Sequence, residues 1–289
     1  MDNLDNLLIN TQEISSGTER FSISIGGIRF SIICQDTRFL KTLQARYQWF
    51  ESTGPTTYEI LVRILPFEEL ALENMGQPCH PQVMKINSGD NYIIRRTDNP
   101  FLAIVNTLSK KVLVKLWDSE YCFDSFLRML FTLIMAQEGG LVIHASAISD
   151  GEQGDVFFGP SGSGKTTVTR LSTNRIILTD ELALIKPHNG EYRVYGTPFW
   201  GEFTPGRSNA HARLRGLYSL KKAQKNSLVP MDRVRAVEEL YQCVLFFSKD
   251  SHLLQLMFNN CCVIVDKVPS YELHFLSDPS FWQVVDRHG

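Results

Sequence analysis

The stretch VFFGPSGSGKTTV, residues 156–168, decides how this chain is read. Within it, the segment from Gly159 to Thr166 matches the pattern G-x-x-x-x-G-K-[ST], in which a strand, a glycine-rich loop and a helix follow one another. Glycine lets the loop backbone turn so that successive amide N–H groups point at phosphate oxygens. The flanks agree, because DVFFG is typical of a strand and KTTVTRLS of the start of a helix. The stretch predicts a phosphate-binding loop; the alternative is a glycine-rich turn without a ligand.

The residues of this loop have distinct expected roles. The ammonium of Lys165 is expected to bridge the outer phosphates of a nucleotide, and the hydroxyl of Thr166 to bind Mg²⁺. ATP and Mg²⁺ are therefore the expected ligands. The predicted nucleotide-binding residues are Gly159, Ser161, Gly162, Ser163, Gly164, Lys165, Thr166 and Thr167.

Two adjacent acids, Asp180 and Glu181, follow the apolar run RIILT soon after the loop. The interval is too short for the helical insert of a transporter motor, and the NKxD motif of GTPases is absent. A strand in this position is expected directly beside the loop's own strand, with both acids at the edge that faces the phosphates. One acid is suited to bind Mg²⁺ and the other to accept a hydroxyl proton during phosphoryl transfer. The alternative is a helix cap or a solvated turn.

Four stretches, IHASAI, FFGPSGSGKTTV, ILTDELALI and YGTPFWGE, together resemble the carboxy-terminal kinase domain of HPr kinase/phosphorylase and its relatives. The resemblance runs from Leu141 to roughly Leu220. It implies an α/β P-loop domain with the nucleotide fold of ATP-dependent phosphoenolpyruvate carboxykinase. It also implies phosphoryl transfer from ATP.

The resemblance assigns roles to several residues around the loop. His144, on the strand before the loop's strand, is implied to lie near the reacting centre; a buried core histidine is the alternative. Asp180 is expected to serve both metal and proton, assisted by Glu181, where the bifunctional enzymes have a second Asp. Lys165, together with Mg²⁺, is expected to stabilise the transferring phosphoryl group.

Three further residues come from the family's metal and arginine positions. The signature loop of the family carries a Glu and a catalytic Arg, but no Glu directly precedes RLRG in this sequence. Glu202, in PFWGE, is the nearest candidate for the missing metal-binding carboxylate, the alternative being a surface acid. Arg215 or Arg207 is a candidate to stabilise charge on the phosphoryl group. A salt bridge is an equal alternative for both arginines.

The two halves of the sequence differ in pattern. Residues 1–138 are expected to form a smaller α+β accessory or substrate-recognition domain with an antiparallel sheet, and residues 139–289 the P-loop kinase domain. The glycine pair after the helix SEYCFDSFLRMLFTLIMAQ sets this boundary. The first half resembles the leader region of HPr-kinase-related proteins found with biosynthetic or peptide-tailoring genes. It is predicted to contain a hairpin at RFSISIGGIRFSIICQ, a helix at TRFLKTLQARYQWF and strands at YEILVRIL, NYIIRRT, FLAIVNTL and KKVLVKLW.

In the second half, strands are predicted at YRVYG, RLRGLYSL and CCVIVD, and a helix at DRVRAVEELYQCVLFF. The stretch TPFWGEFTPGRSNAHARLRG is either a flap over the acceptor or an ordinary surface loop.

Composition excludes some functions. The chain has 289 residues, and 29 Lys and Arg against 31 Asp and Glu give a net charge of −2, so no positive field favours nucleic acid or an anionic membrane. The most apolar helix candidate is too short to span a bilayer. The segment MDNLDNLLINTQ has acids where a secretory signal has lysines, so a cytoplasmic protein is expected. A homo-oligomer is compatible with these features.

The expected function is a kinase that transfers the γ-phosphoryl group of ATP to a hydroxyl acceptor. The acceptor is expected to be Ser or Thr of a peptide or protein, or a small-molecule alcohol. The alternative is a nucleotide-sensing module that binds ATP and regulates a partner protein without turnover. The acidic pair favours the kinase.

Overall fold

The computed structural model describes residues 19–73, 80–86, 89–201 and 209–287. The chain forms two compact units. The first contains residues up to 134 together with residues 247–250, and the second contains residues 135–246 and those from 251 onward. The chain thus returns briefly to the first unit late in the sequence, which no sequence pattern indicated.

The first unit is built on one seven-stranded sheet, ordered β1-β2-β3-β7-β6-β5-β4. β2 and β7 both run parallel to β3, which lies between them, so the sheet is mixed and the prediction of an antiparallel sheet was wrong. Parallel neighbours need a crossover, and helix α1 supplies the first one, between β2 and β3. The strands are β1 (Glu19–Ile25), β2 (Ile28–Cys34), β3 (Tyr58–Ile64), β4 (Gln82–Ile86), β5 (Asn91–Arg96), β6 (Phe101–Asn106) and β7 (Lys111–Leu116); the helices are α1 (Thr37–Tyr47) and α2 (Phe67–Glu73).

The local predictions for the first unit are largely confirmed. β1 and β2 form the expected hairpin, with both glycines of its turn at positive φ, 60° for Gly26 and 74° for Gly27. Helix α1 starts where the carboxylate of Asp36 accepts a hydrogen bond from the amide of Phe39 at 2.9 Å. Strand β4 and helix α2 were not predicted.

Helix α3 (Glu120–Gln137) begins in the first unit and ends in the second. It stops before Gly139, whose φ of +75° a side chain would disfavour, so the predicted helix end is confirmed. Among the described residues, no helix is long and apolar enough to cross a membrane.

The second unit is built on an eight-stranded sheet in which the pairings of β8, β9, β13, β12 and β11 close into a ring. Val156 and Phe158 of β9 pack into one apolar core, and Phe157 packs into a second core with Val168. The strands are β8 (Leu141–Ser149), β9 (Gln153–Phe158), β10 (Ile176–Thr179), β11 (Leu182–His188), β12 (Glu191–Tyr195), β13 (His211–Lys222), β14 (Ser227–Pro230) and β15 (Ser270–Phe275). The helices are α4 (Lys165–Arg170), α5 (Arg233–Tyr241), α6 (Ser251–Lys267) and α7 (Trp282–Val285).

Two predictions for the second unit need correction. CCVIVD is not a strand but the last part of α6, whose buried residues Leu253, Met257, Cys261 and Ile264 follow helical spacing. The helix predicted over DRVRAVEELYQCVLFF ends at Tyr241. The next residues run along β8, where the amide of His144 donates to the carbonyl of Cys243 at 2.8 Å. The short apolar runs allowed either structure, and packing decided between them.

Candidate functional site

The glycine-rich loop joins β9 to α4, so strand, loop and helix follow one another as predicted. Gly159, Gly162 and Gly164 all have positive φ, at 147°, 77° and 112°. A Cβ atom on Gly164 would lie 2.5 Å from Cζ of Phe275, and one on Gly159 would lie 3.0 Å from Oγ of Ser163. Both the backbone conformation and the packing around the loop therefore require glycine.

Lys165, the first residue of α4, carries a buried positive charge. Its side chain is 8% exposed, and Nζ donates to the carbonyls of Gly159 at 2.9 Å and Pro160 at 3.2 Å. No carboxylate among the described residues forms a salt bridge with it, and burial lowers its pKa. A buried ammonium without a counter-ion is costly, so an anion in this loop would be strongly stabilised.

The other loop residues also fit a phosphate group. Oγ of Ser163 is buried and has no hydrogen-bond partner within the described part of the chain. Ser161 and Gly162 are exposed, and Thr166 and Thr167 are half-buried. A bound phosphate would satisfy the hydroxyl of Ser163 and would give the ammonium of Lys165 the counter-ion that the described residues do not supply.

Helix α4 is short and is held against β8 by buried hydroxyl groups. Oγ of Ser146 donates to the carbonyl of Lys165 at 3.1 Å, and Oγ1 of Thr169 donates to Oγ of Ser146 at 2.9 Å. His144 lies two residues before Ser146 and so on the same face of β8. This face of β8 therefore meets the loop directly.

The side chain of His144 is exposed and lines a cavity of about 550 Å³. Gly159, Pro160 and Ser161 line the same cavity. His144 is therefore not a buried core histidine, and it shares a cavity with the start of the loop.

The acidic turn, Asp180 and Glu181, lies between β10 and β11, and both strands pair with β8 rather than with β9. The prediction that the acid-bearing strand lies beside the loop's strand was wrong, because β8 comes between them. Ala145 pairs with Phe158 on one side, and on the other its amide donates to the carbonyl of Glu181 at 3.0 Å. The acids thus stand level with the start of the loop, with their backbone roughly 10 Å from β9 at the usual strand spacing.

Neighbouring residues hold the acidic turn in place. Asp180 is 6% exposed, and its Oδ1 accepts a hydrogen bond from the amide of Gly201 at 3.0 Å. Oγ1 of Thr179 accepts from the amide of Glu181 at 3.3 Å, and Oγ1 of Thr197 donates to the carbonyl of Leu182 at 2.8 Å. Because Asp180 is buried between two strands, it is neither a helix cap nor part of a solvated turn.

Arg215 is not at the loop. It forms a bidentate ion pair with Asp155, with Nε to Oδ1 at 2.8 Å and Nη2 to Oδ2 at 2.5 Å. Asp155 lies near the start of β9, whereas the loop follows the end of that strand. The geometry therefore assigns Arg215 the salt bridge of the alternative, which corrects its expected catalytic role.

The expected metal site is only partly described. Thr166 and Asp180 are described, whereas Glu202 and Arg207 lie outside the described residues. Within the described part of the chain, no group of three or more His, Cys, Asp or Glu side chains is placed to hold a metal ion.

The cavity also has residues that the sequence did not single out. They come from β13, from α5 and from the segment after it: Lys221, Arg235, Glu238, Glu239, Gln242 and Cys243. The i,i+4 spacing of Arg235 and Glu239 indicated only a charged helix face. Local sequence could not show that this face lines a cavity, because that depends on how the second unit folds.

Cys243 links this wall of the cavity to the loop. Burial raises the pKa of its thiol, while the amide of Gly159 and the ammonium of Lys165 act in the opposite direction. The thiol therefore lies beside the first residue of the loop.

Comparison with known proteins gives one family. The family model described as "SynChlorMet cassette protein ScmC" matches residues 123–288, which is more than half of the chain and includes the loop, the acidic turn and the cavity. No curated protein matches the chain.

Proposed function

We propose that this chain, which belongs to the ScmC family of SynChlorMet cassette proteins, is an ATP- and Mg²⁺-dependent kinase with a hydroxyl acceptor. The acceptor would be Ser or Thr of a peptide or protein, or a small-molecule alcohol of a biosynthetic pathway. The observation that carries the proposal is Lys165, a buried cation whose hydrogen bonds, within the described part of the chain, go to carbonyls of a glycine-rich loop. A nucleotide's phosphates supply the missing negative charge.

The chemical step divides between the loop and the acids. The amides of the loop and Lys165 hold the phosphates and stabilise charge on the transferring group. Asp180, assisted by Glu181, takes the proton of the acceptor hydroxyl, whose oxygen forms a bond to the γ-phosphorus while the bond to the leaving ADP oxygen breaks. His144, on the strand between loop and acids, orients the acceptor or the carboxylate. Thr166 and Asp180 would hold Mg²⁺, which would supply positive charge to the phosphates.

The first test is Lys165→Ala. Because the variant removes the cation that pairs with the phosphates, we expect the Kd for Mg-ATP, measured by calorimetry, to rise at least about tenfold. Lys225→Ala removes an exposed lysine of the same unit and should leave the Kd unchanged. Equal affinities of Lys165→Ala and the unaltered protein would refute the proposal.

The second test separates chemistry from binding. In Asp180→Asn the proton acceptor is lost but the loop is intact, so label transfer from [γ-³²P]ATP should fall at least about a hundredfold while ATP still binds. Unchanged transfer would remove Asp180 from the mechanism.

Two observations favour the second function, a nucleotide-sensing module. Strand β8 lies between the acidic turn and the loop's strand, and Arg215 is paired with Asp155. A sensing module would bind ATP in a Lys165-dependent way, with no transfer to any acceptor and no hydrolysis.

A further inference from the structure

The cavity beside the loop is lined by both charged and apolar residues. Its volume of about 550 Å³ is that of a site for a small molecule or a short peptide segment. Charged or polar side chains from α5 and β13 form one wall, and His144 and the start of the loop form another. The described residues that line it include no Phe, Tyr or Trp ring on which a purine base could stack. The cavity therefore suits the acceptor better than the base of ATP.

The two cations of the lining are already neutralised. Nζ of Lys221 lies 3.2 Å from Oε2 of Glu239 and 3.8 Å from Oε1 of Glu272. Arg235 pairs with the same two carboxylates, with Nε 3.3 Å from Oε1 of Glu239. His274 adds a contact of 3.3 Å to Glu272. Both Lys221 and Arg235 are therefore already paired with carboxylates of this network.

Glu238 is an acid of the cavity lining that lies outside this network. It lines the cavity from α5, is exposed, and its carboxylate has no hydrogen bond or ion pair with any described residue. Gln242 lies one helical turn later and lines the same cavity, so a carboxylate and an amide face it together. An unpaired carboxylate in a concave site attracts a positive group.

We propose that this cavity is the acceptor site and that it selects a hydroxyl compound bearing a protonated amine, which pairs with Glu238. The inference rests on the function proposed above. The amine is held at α5, and the hydroxyl reaches the start of the loop, which lines the same cavity. Amino alcohols and seryl or threonyl peptides with a free amino terminus belong to this class, and their N-acetylated forms do not.

The experiment uses matched acceptor pairs with the full chain. Each pair consists of an amino alcohol or a Ser- or Thr-containing dipeptide with its amine free or acetylated. Binding without ATP is measured by NMR titration, and transfer from [γ-³²P]ATP is measured separately. The unaltered protein should favour the free amine about tenfold in Kd and KM. Glu238→Gln should abolish this preference without changing the Kd for ATP.

Glu152→Gln is the matched control, because Glu152 is an exposed acid at the turn before β9 and does not line the cavity. It should keep the full preference. Equal use of the two members of each pair by the unaltered protein overturns the inference, as does a preference that survives Glu238→Gln or the absence of any amine binding. Amine-selective binding without transfer would support the cavity assignment and refute the kinase. Transfer without amine selectivity would support the kinase and refute the cavity assignment.

Discussion

At the scale of single residues, two cationic side chains of the second unit, one 8% and the other 10% exposed, differ in the groups that they contact. Lys165 is held by main-chain carbonyls, whereas Arg215 is paired with the carboxylate of Asp155, which is 1% exposed. Burial raises the pKa of Asp155. Arg215 is thus held in an ion pair within the fold, whereas the charge of Lys165 has no carboxylate partner among the described residues and can pair with a ligand.

Arg215→Ala would leave Asp155 buried and without its main partner, so we expect a loss of about 3–5 kcal/mol in the free energy of unfolding at neutral pH. The folded pKa of Asp155 lies above its unfolded value and rises further in the variant, so protonation favours the folded state. The deficit should therefore shrink as the pH falls from the folded pKa of Asp155 in the variant to that in the unaltered protein, both of which lie above the ordinary 3.8. Urea unfolding at several pH values measures it.

Arg213→Ala is the control for this variant. Arg213 lies on the same strand but is 60% exposed, with Glu191 at 3.0 Å, so its removal should cost less than about 1 kcal/mol. Similar losses in the two variants, or a deficit for Arg215→Ala that grows on acidification, would contradict the assigned ion pair.

At the scale of elements, the loop and α4 depend on the packing of Gly164 against β15. Gly164 and Gly151 have nearly the same φ, +112° and +113°, but a Cβ at Gly151 would meet nothing within 4 Å. Comparison of the two positions separates backbone strain from steric overlap.

We expect Gly151→Ala to lose about 1 kcal/mol through its backbone conformation alone. Gly164→Ala should lose a further 1–3 kcal/mol or so, because the ring of Phe275 must move, and it should also weaken ATP binding. Urea unfolding and calorimetry check both effects. Equal stability losses with unchanged ATP affinity would show that Phe275 does not constrain the loop.

At the scale of the whole molecule, the second unit starts inside helix α3, and the end of that helix is fixed by a residue more than a hundred positions later. Nδ2 of Asn260, on α6, donates to the carbonyls of Ala136 and Gly140, both at 3.1 Å, and of Met135 at 3.4 Å. The buried amide thereby supplies a donor at the helix end, where carbonyls run out of intrahelical N–H partners.

Asn260→Asp keeps the shape of the side chain but replaces its donating NH₂ group with a negatively charged carboxylate oxygen. That oxygen would face the carbonyl oxygens and repel them. We expect a loss of roughly 2–4 kcal/mol in the free energy of unfolding. Asn259→Asp makes the same change at an exposed neighbour and should fall within about 0.5 kcal/mol of the unaltered protein. Chemical denaturation measures both, and a small loss in Asn260→Asp would show that the helix end does not need this amide.

Features that depend on near neighbours could be predicted from the amino-acid sequence. The Gly26–Gly27 hairpin, the start of α1 at Asp36 and the loop before Lys165 follow from turn geometry, capping and amide spacing within a few residues. Three long-range features became visible in the folded chain alone: β8 lies between the loop's strand and the acidic turn, Arg215 pairs with Asp155, and α5 brings Glu238 to the cavity. These pairings join residues far apart in the chain, and their free energy comes from burial that no local pattern encodes.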